Sequence, residues 1–235
     1  MENTAMQGGS LWIWMIFIGF TLISWLISNR LKSRFQKYSK IATANGMTGR
    51  DVVEKMLREN GISGVKIGTV EGQLTDHYNP VNKTINLSKE VYYGKSVAAA
   101  AVAAHETGHA LQHAKGYSML RLRSALVPAV EFASHWVQWI LLAGILLVNI
   151  FPGLLLVGIG LFSVMTLFSI VTLPVEINAS HRALAWLRNS GITDYQSQAY
   201  AFDALKWAAY TYLIAALSSL ATLLYYVMIY LNRRD

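Results

Sequence analysis

The chain has no cysteine among its 235 residues. That excludes a disulfide framework and any thiolate metal site. A metal ion could be held here only by histidine and carboxylate groups. The absence also fits a reducing compartment. Charge is scarce as well: Asp, Glu, Lys and Arg together make up 14% of the chain, against about 25% in an ordinary soluble domain. There is no internal repeat and no low-complexity linker. The net charge of +7 comes without any nucleic-acid-binding motif, so a membrane surface is the simpler partner for it.

What the sequence does contain is long apolar runs. Residues 11–28, LWIWMIFIGFTLISWLIS, carry no charge. Residues 136–151 and 153–173 are two further runs, the second of them GLLLVGIGLFSVMTLFSIVTL. Residues 207–231 form the last. A bilayer-spanning helix needs about 20 apolar residues, within a range of about 17–25. Extended back to about Ser134, the second run meets that lower limit. The pair Pro152-Gly153 predicts a tight turn, which makes the second and third runs a helical hairpin.

The first run is expected to be an anchor rather than a cleaved signal peptide. A signal peptide carries its basic residues before the apolar stretch. Here only Glu2 precedes it, and Arg30, Lys32, Arg34, Lys37 and Lys40 follow. Positive charge stays on the cytoplasmic side. Of the 20 Lys and Arg residues, 15 lie within residues 30–123, and Arg182, Arg188 and Lys206 add three. Only Arg233 and Arg234 fall on the other side. Four spans then place both termini outside and residues 30–133 and 174–206 together inside. Trp12, Trp25, Trp207 and Tyr230 read as interfacial anchors. Glu131 and His135 read as solvated or snorkelling groups at an interface.

Between the first two spans, residues 47–61 (MTGRDVVEKMLRENG) predict a surface helix. Thr48 caps it with Asp51 three residues on, and Gly61 stops it. VKIGTV is a strand candidate. LTDHYN and KTINLS flank the turn residues 80–82 and read as a β-hairpin. Residues 96–115 predict a long alanine-rich helix, capped by Ser96 and ended by Gly116.

That helix carries AVAAHETGHALQH. His105 and His109 are four residues apart, so both imidazoles leave one face and can share one metal ion. Glu106 follows the first. HExxH on a helix is the zinc-peptidase arrangement, in which the bound water's pKa falls to about 7 and the glutamate takes its proton. A surface helix with polar residues at these positions is a poor alternative, because the rest of the helix is almost uncharged.

Two histidines leave a catalytic zinc one protein ligand short. His113 lies one turn further along the same face, without the spacing of a third ligand, and reads as a surface or supporting residue. Glu176, in LPVEINASHRAL, is the only carboxylate between Glu131 and Asp194. Pro174 is expected to end the third span and start a new helix, bringing Glu176, Asn178, Ser180 and His181 near the membrane on the side of His105. Glu176 is therefore either the third ligand, the preferred reading, or an interfacial charge at a helix end.

At these residues the chain resembles the YugP-type membrane zinc metallopeptidases, a bacterial family related in layout to HtpX and the CAAX prenyl proteases. The resemblance runs through YSKI and GMTG, LTDHYNP with KTINLS, YYGKSVAAAAVAAHETGHALQ, and IVTLPVEINAS, covering most of residues 38–206. It implies a gluzincin site: His105, His109 and Glu176 as ligands of one zinc ion, with Glu106 as general base. In the wider group the third-ligand motif is ExxxD. Ser180 stands in the Asp place here and would raise the basicity of a ligand histidine less than an acid.

The expected fold is a mainly α integral membrane protein with four transmembrane helices around an HExxH zincin core and a β-hairpin. Residues 1–29 would be the N-terminal anchor and 30–133 the peptidase region. Residues 134–173 would be the transmembrane hairpin, 174–206 the segment completing the site, and 207–235 the last span. The expected activity is zinc-dependent hydrolysis of peptide bonds in protein or peptide substrates, on the cytoplasmic side of a bacterial inner membrane. Ser180, His181, Arg182 and His77 are candidates for supporting residues or oxyanion donors. A substrate strand could add to the hairpin edge within residues 73–88, near His77 and Tyr78. The competing readings are a zinc-binding scaffold without activity and a metal transporter. A regulatory membrane partner and self-association are left open.

Overall fold

The computed structural model describes the backbone of residues 2–232 and the side chains of residues 14–232. The expectations for Trp12 and for the charges of Glu2, Arg233 and Arg234 lie outside the described side chains. The chain is mostly helical. Its order is α1 (Glu2–Tyr38), α2 (Gly49–Glu59), β1 (Lys66–Val70), β2 (His77–Asn79), β3 (Thr84–Ser88), α3 (Lys89–Tyr92), α4 (Val97–Ala114), α5 (Ser118–Leu146), α6 (Pro152–Asn189) and α7 (Tyr195–Leu231). It divides into two compact units.

One unit comprises Ile27–Arg121 and Pro174–Tyr210, and α4 is its central element. Nearly every residue of α4 is buried, from Val97 through Gln112. A helix apolar on all sides is stable only inside a core, and the run of alanines lets neighbours approach closely. Ser96 caps it by accepting from the Ala99 N–H at 3.2 Å. α2 packs on α4 through Val52, Val53, Met56 and Leu57, all buried. Each such side chain contributes about 1.5–3 kcal/mol of burial. The start of α2 is a full capping box: Thr48 Oγ1 accepts from Asp51 N, and Asp51 accepts from Thr48 N at 2.9 Å.

The sheet has the order β1-β3-β2. β2 pairs antiparallel with β3, with Tyr78 opposite Ile85. β1 pairs parallel with β3, with Lys66 opposite Thr84. The central strand alternates as a half-buried strand must: Ile85 and Leu87 are fully buried. The turn between β2 and β3 is held by the Asn79 side chain, whose Oδ1 accepts from Val81 N at 2.9 Å, a local bond that asparagine makes readily.

The second unit comprises Met1–Leu26, Leu122–Leu173 and Thr211–Asp235. Val137, Leu141, Leu155 and Ile159 form its buried cluster. Gly144 lets α5 and α6 touch, since a Cβ there would lie 2.6 Å from the Leu155 Cα. The Thr166 and Ser219 hydroxyls bond at 2.8 Å. Much of its apolar surface is bare: Trp14 is 67% exposed, Trp139 65% and Leu146 75%. Among the described residues, four helices are long and apolar enough to cross a membrane: Trp14–Tyr38, Ser118–Leu146, Pro152–Asn189 and Tyr195–Leu231. Bare apolar surface on helices of that length is what a lipid environment covers.

Two helix boundaries differ from expectation. The helix carrying the second apolar run starts at Ser118 rather than near Ser134, and runs through Pro128. The turn falls at residues 147–151, where Phe151 N bonds to the Leu147 carbonyl, and Pro152 is the first residue of α6. That is the helix position where a missing N–H costs nothing. Pro174 does not end a helix either, because α6 continues through it to Asn189. One lost backbone bond, about 3 kcal/mol, is absorbed within a 38-residue helix. Pro174 marks the boundary between the two units instead. Glu131 and His135 are exposed, and the His135 ring bonds the Glu131 carbonyl at 2.6 Å.

Candidate metal centre

The site is built where α4 meets the second half of α6. His105 and His109 lie one turn apart on α4, with ring centroids 4.8 Å apart and planes at 86°. Glu176 and Ser180 lie one turn apart on α6. The crossing is close because residue 108 is glycine: a Cβ there would stand 2.7 Å from the Ala179 carbonyl oxygen. This contact lets a carboxylate reach two imidazoles on another helix.

Glu176 Oε2 lies 3.1 Å from His105 Nε2 and 3.4 Å from His109 Nε2. One ligand atom from each residue lies within 4.8 Å of the others. These separations can be tested against zinc. Ligand atoms about 2.0–2.2 Å from the ion in a tetrahedron lie roughly 3.3–3.6 Å from one another. The two carboxylate–imidazole distances are close to that edge, and the donor set of two nitrogens and one oxygen suits zinc. Glu176 is 3% exposed, so its charge has little water and needs the imidazoles.

The electrostatics follow from that burial. Desolvation works to raise the Glu176 pKa, but the bonds and charges of His105 and His109 outweigh it and hold the carboxyl well below the usual range. Desolvation works to lower His109, and the Glu176 bond and charge, with the Glu106 charge, raise it above the ordinary value. In the metal-free chain a proton can therefore lie between groups that could share an ion.

The far sides of both rings are held. Ser180 Oγ lies 3.1 Å from His105 Nδ1. Gln112 Oε1 lies 3.0 Å from His109 Nδ1, and Gln112 Nε2 donates to the Val175 carbonyl at 2.8 Å and to Asn178 Oδ1 at 3.0 Å. Arg182 Nε donates to the same Asn178 oxygen at 2.8 Å. Glu106 is buried on α4 beside His105.

The other expected site residues stand further out. His181 is exposed and lines a groove between α6 and α7 with Phe202 and Lys206. His77 is exposed and bonds the Thr75 carbonyl and the Asn86 side chain. His113 bonds the Tyr78 hydroxyl at 2.8 Å through Nδ1, which ties β2 to α4. Three residues escaped the sequence reading. Gln112 had a signal, since it shares the helical stripe of His105 and His109 on an otherwise apolar helix. Gly108 had none beyond its small size. Asp76, which accepts from Ser88 N at 2.7 Å, has its pKa raised chiefly by burial and also by the charge of Glu106, against the Ser88 N–H.

Comparison with known proteins agrees with this chemistry. A family model described as "Putative neutral zinc metallopeptidase" matches residues 13–231. The chain is 42% identical over 225 residues to a protein of Bacillus subtilis (strain 168) named "Putative membrane protease YugP". The match covers 94% of this chain and 99% of that protein. No solved structure matches.

Proposed function

The chain belongs to this zinc metallopeptidase family, and from that premise we propose that it is a membrane-embedded, zinc-dependent endopeptidase. The observation that carries the reading is the convergence of His105, His109 and Glu176 on one point beside Glu106. His105 Nε2, His109 Nε2 and a Glu176 oxygen would hold one zinc ion. The chemistry such an ion supplies is polarisation of a carbonyl and acidification of water.

The chain's own residues do the rest. Glu106 is the general base: its carboxylate takes a proton from the attacking water as the new C–O bond forms. The same proton then passes to the amine nitrogen as the C–N bond breaks. Glu176 offsets positive charge in a buried setting, where Coulomb interactions are strong. Ser180 and Gln112 hold the ligand rings. β2 is an edge strand of the sheet and is tied to α4 through Tyr78 and His113. A substrate strand adding to that edge would run alongside the catalytic helix, between the β2–β3 hairpin and the HExxH core.

The four apolar helices would span a bacterial cytoplasmic membrane. By the positive-inside rule the basic cluster after the first would put residues 30–133 and 174–206, and with them the site, on the cytoplasmic side. The test is casein cleavage by the purified chain in detergent. Activity should vanish with a chelator. It should fall by a factor of about 10²–10⁴ in Glu106→Gln, with zinc retained. Unchanged cleavage in Glu106→Gln would sink the proposal.

A further inference from the structure

Gln112 is fully buried, and a buried amide must have every polar end matched. Its two ends face groups whose roles are fixed. The Val175 carbonyl can only accept, and it lies 2.8 Å from Nε2. Arg182 can only donate, and its Nε bonds Asn178 Oδ1 at 2.8 Å. That makes the Asn178 atom facing Gln112 an oxygen, which also can only accept. Turning the Gln112 amide over would set its oxygen against two acceptors. Its NH₂ group is therefore committed to α6, and Oε1 is the only atom left for His109. An amide oxygen accepts, so His109 Nδ1 must carry a hydrogen, and Nε2, which faces Glu176, is the nitrogen that offers its lone pair to a metal once it gives up its own proton.

We propose that Gln112 is a positioning residue that locks His109 in the Nδ1–H tautomer, and that the docking of α6 against α4 sets this lock. One helix thus does two things at once. It brings the carboxylate of Glu176, and through Val175 and Asn178 it orients the amide that leaves His109 Nε2 as the metal-facing nitrogen. His105 lacks this device, because the Ser180 hydroxyl can accept or donate and so imposes no tautomer. The inference rests on the metal-site reading for its consequence, but the tautomer can be observed without metal.

Two measurements on the full chain in detergent test it. The first is zinc affinity by competition with a chromogenic chelator. Gln112→Met keeps the volume and removes both hydrogen-bonding ends, and should weaken zinc about 10- to 100-fold. Asn178→Leu, at a half-exposed position, should give a smaller loss because the Val175 carbonyl still holds the amide. Asn178→Asp keeps the acceptor and should stay within about 3-fold of wild type. The second is ¹H–¹⁵N correlation of the histidine rings. His109 Nδ1 should carry an exchange-protected hydrogen in the wild type, with and without zinc, and lose that protection in Gln112→Met. A wild-type Nδ1 without a protected hydrogen overturns the proposal. So does a Gln112→Met chain that binds zinc as the wild type does. A wild type that binds no zinc yet shows the protected hydrogen would defeat the peptidase reading and leave the tautomer lock standing. Should Gln112→Met fail to fold, the wild-type Nδ1 hydrogen still decides the tautomer, and an Asn178→Leu chain with no loss of zinc affinity against Asn178→Asp overturns the role of α6.

Discussion

A methyl group added at Gly108 would sit 2.7 Å from the Ala179 carbonyl oxygen and 3.2 Å from its Cα. Ordinary contacts of this kind are about 3.5–4.0 Å, so α4 and α6 would have to part by roughly 0.8–1.3 Å. The neighbour is backbone of a long helix and cannot swing aside. Two effects oppose each other in stability. Alanine is better than glycine in a helix by about 1 kcal/mol, and overpacking costs about 1–3 kcal/mol. The net change in unfolding free energy is therefore small and not diagnostic. Metal affinity is, because only the separation acts on it. The same movement would stretch the carboxylate–imidazole gaps from 3.1 and 3.4 Å to around 4 Å, beyond the edge of a tetrahedron about zinc. Gly108→Ala should weaken zinc at least about 10-fold, read by chelator competition, with helical circular dichroism unchanged. Zinc affinity equal to wild type would refute the idea that the helix crossing sets the site.

Further outcomes follow from the same geometry. Ser180→Asp places a carboxylate at His105 Nδ1 and should tighten zinc about 10-fold, while Ser180→Ala should loosen it by a similar factor; identical affinities in all three would remove Ser180 from the site. The pH dependence has a definite sign. In the metal-free chain His109 is raised, so its stabilisation is full below the ordinary histidine value, about 6.5, and is lost as pH climbs through its higher folded value. Glu176 is lowered, so its stabilisation is full above the ordinary glutamate value, about 4.3, and is lost only as pH falls well below it. Thermal unfolding of the metal-free protein should therefore peak between about pH 4.3 and 6.5. Zinc affinity should go on rising above pH 6.5 as His109 gives up its proton, and an affinity flat above that pH would show that no raised histidine competes with the ion.

Much of the local structure was readable because local signals govern it. Thr48 with Asp51 marks the start of α2, and Ser96 marks the start of α4. The metal candidates were readable for a chemical reason. A nearly uncharged helix with two histidines at i and i+4 has few uses, and Glu176 is the only carboxylate in a long stretch. Other features depend on contacts far apart in the chain. The parallel pairing of β1 with β3 leaves no local mark. Pro174 reads as a helix end by propensity alone, and only the length of α6 shows why it is tolerated. The start of α5 at Ser118 was hidden by Arg121, Arg123 and Glu131, which do not resemble a membrane span although they suit a helix. Gln112 and Asn178 were unreadable as a pair because each is a neutral amide whose meaning comes from its partner 66 residues away.

Zinc content, measured on purified wild type and on His105→Ala, His109→Ala and Glu176→Ala, reaches the metal centre most directly. The expected result is one zinc per wild-type chain, lost in all three variants while the helical circular dichroism persists. A Glu176→Ala chain that keeps its zinc would contradict the centre described here and would move the third ligand to another residue.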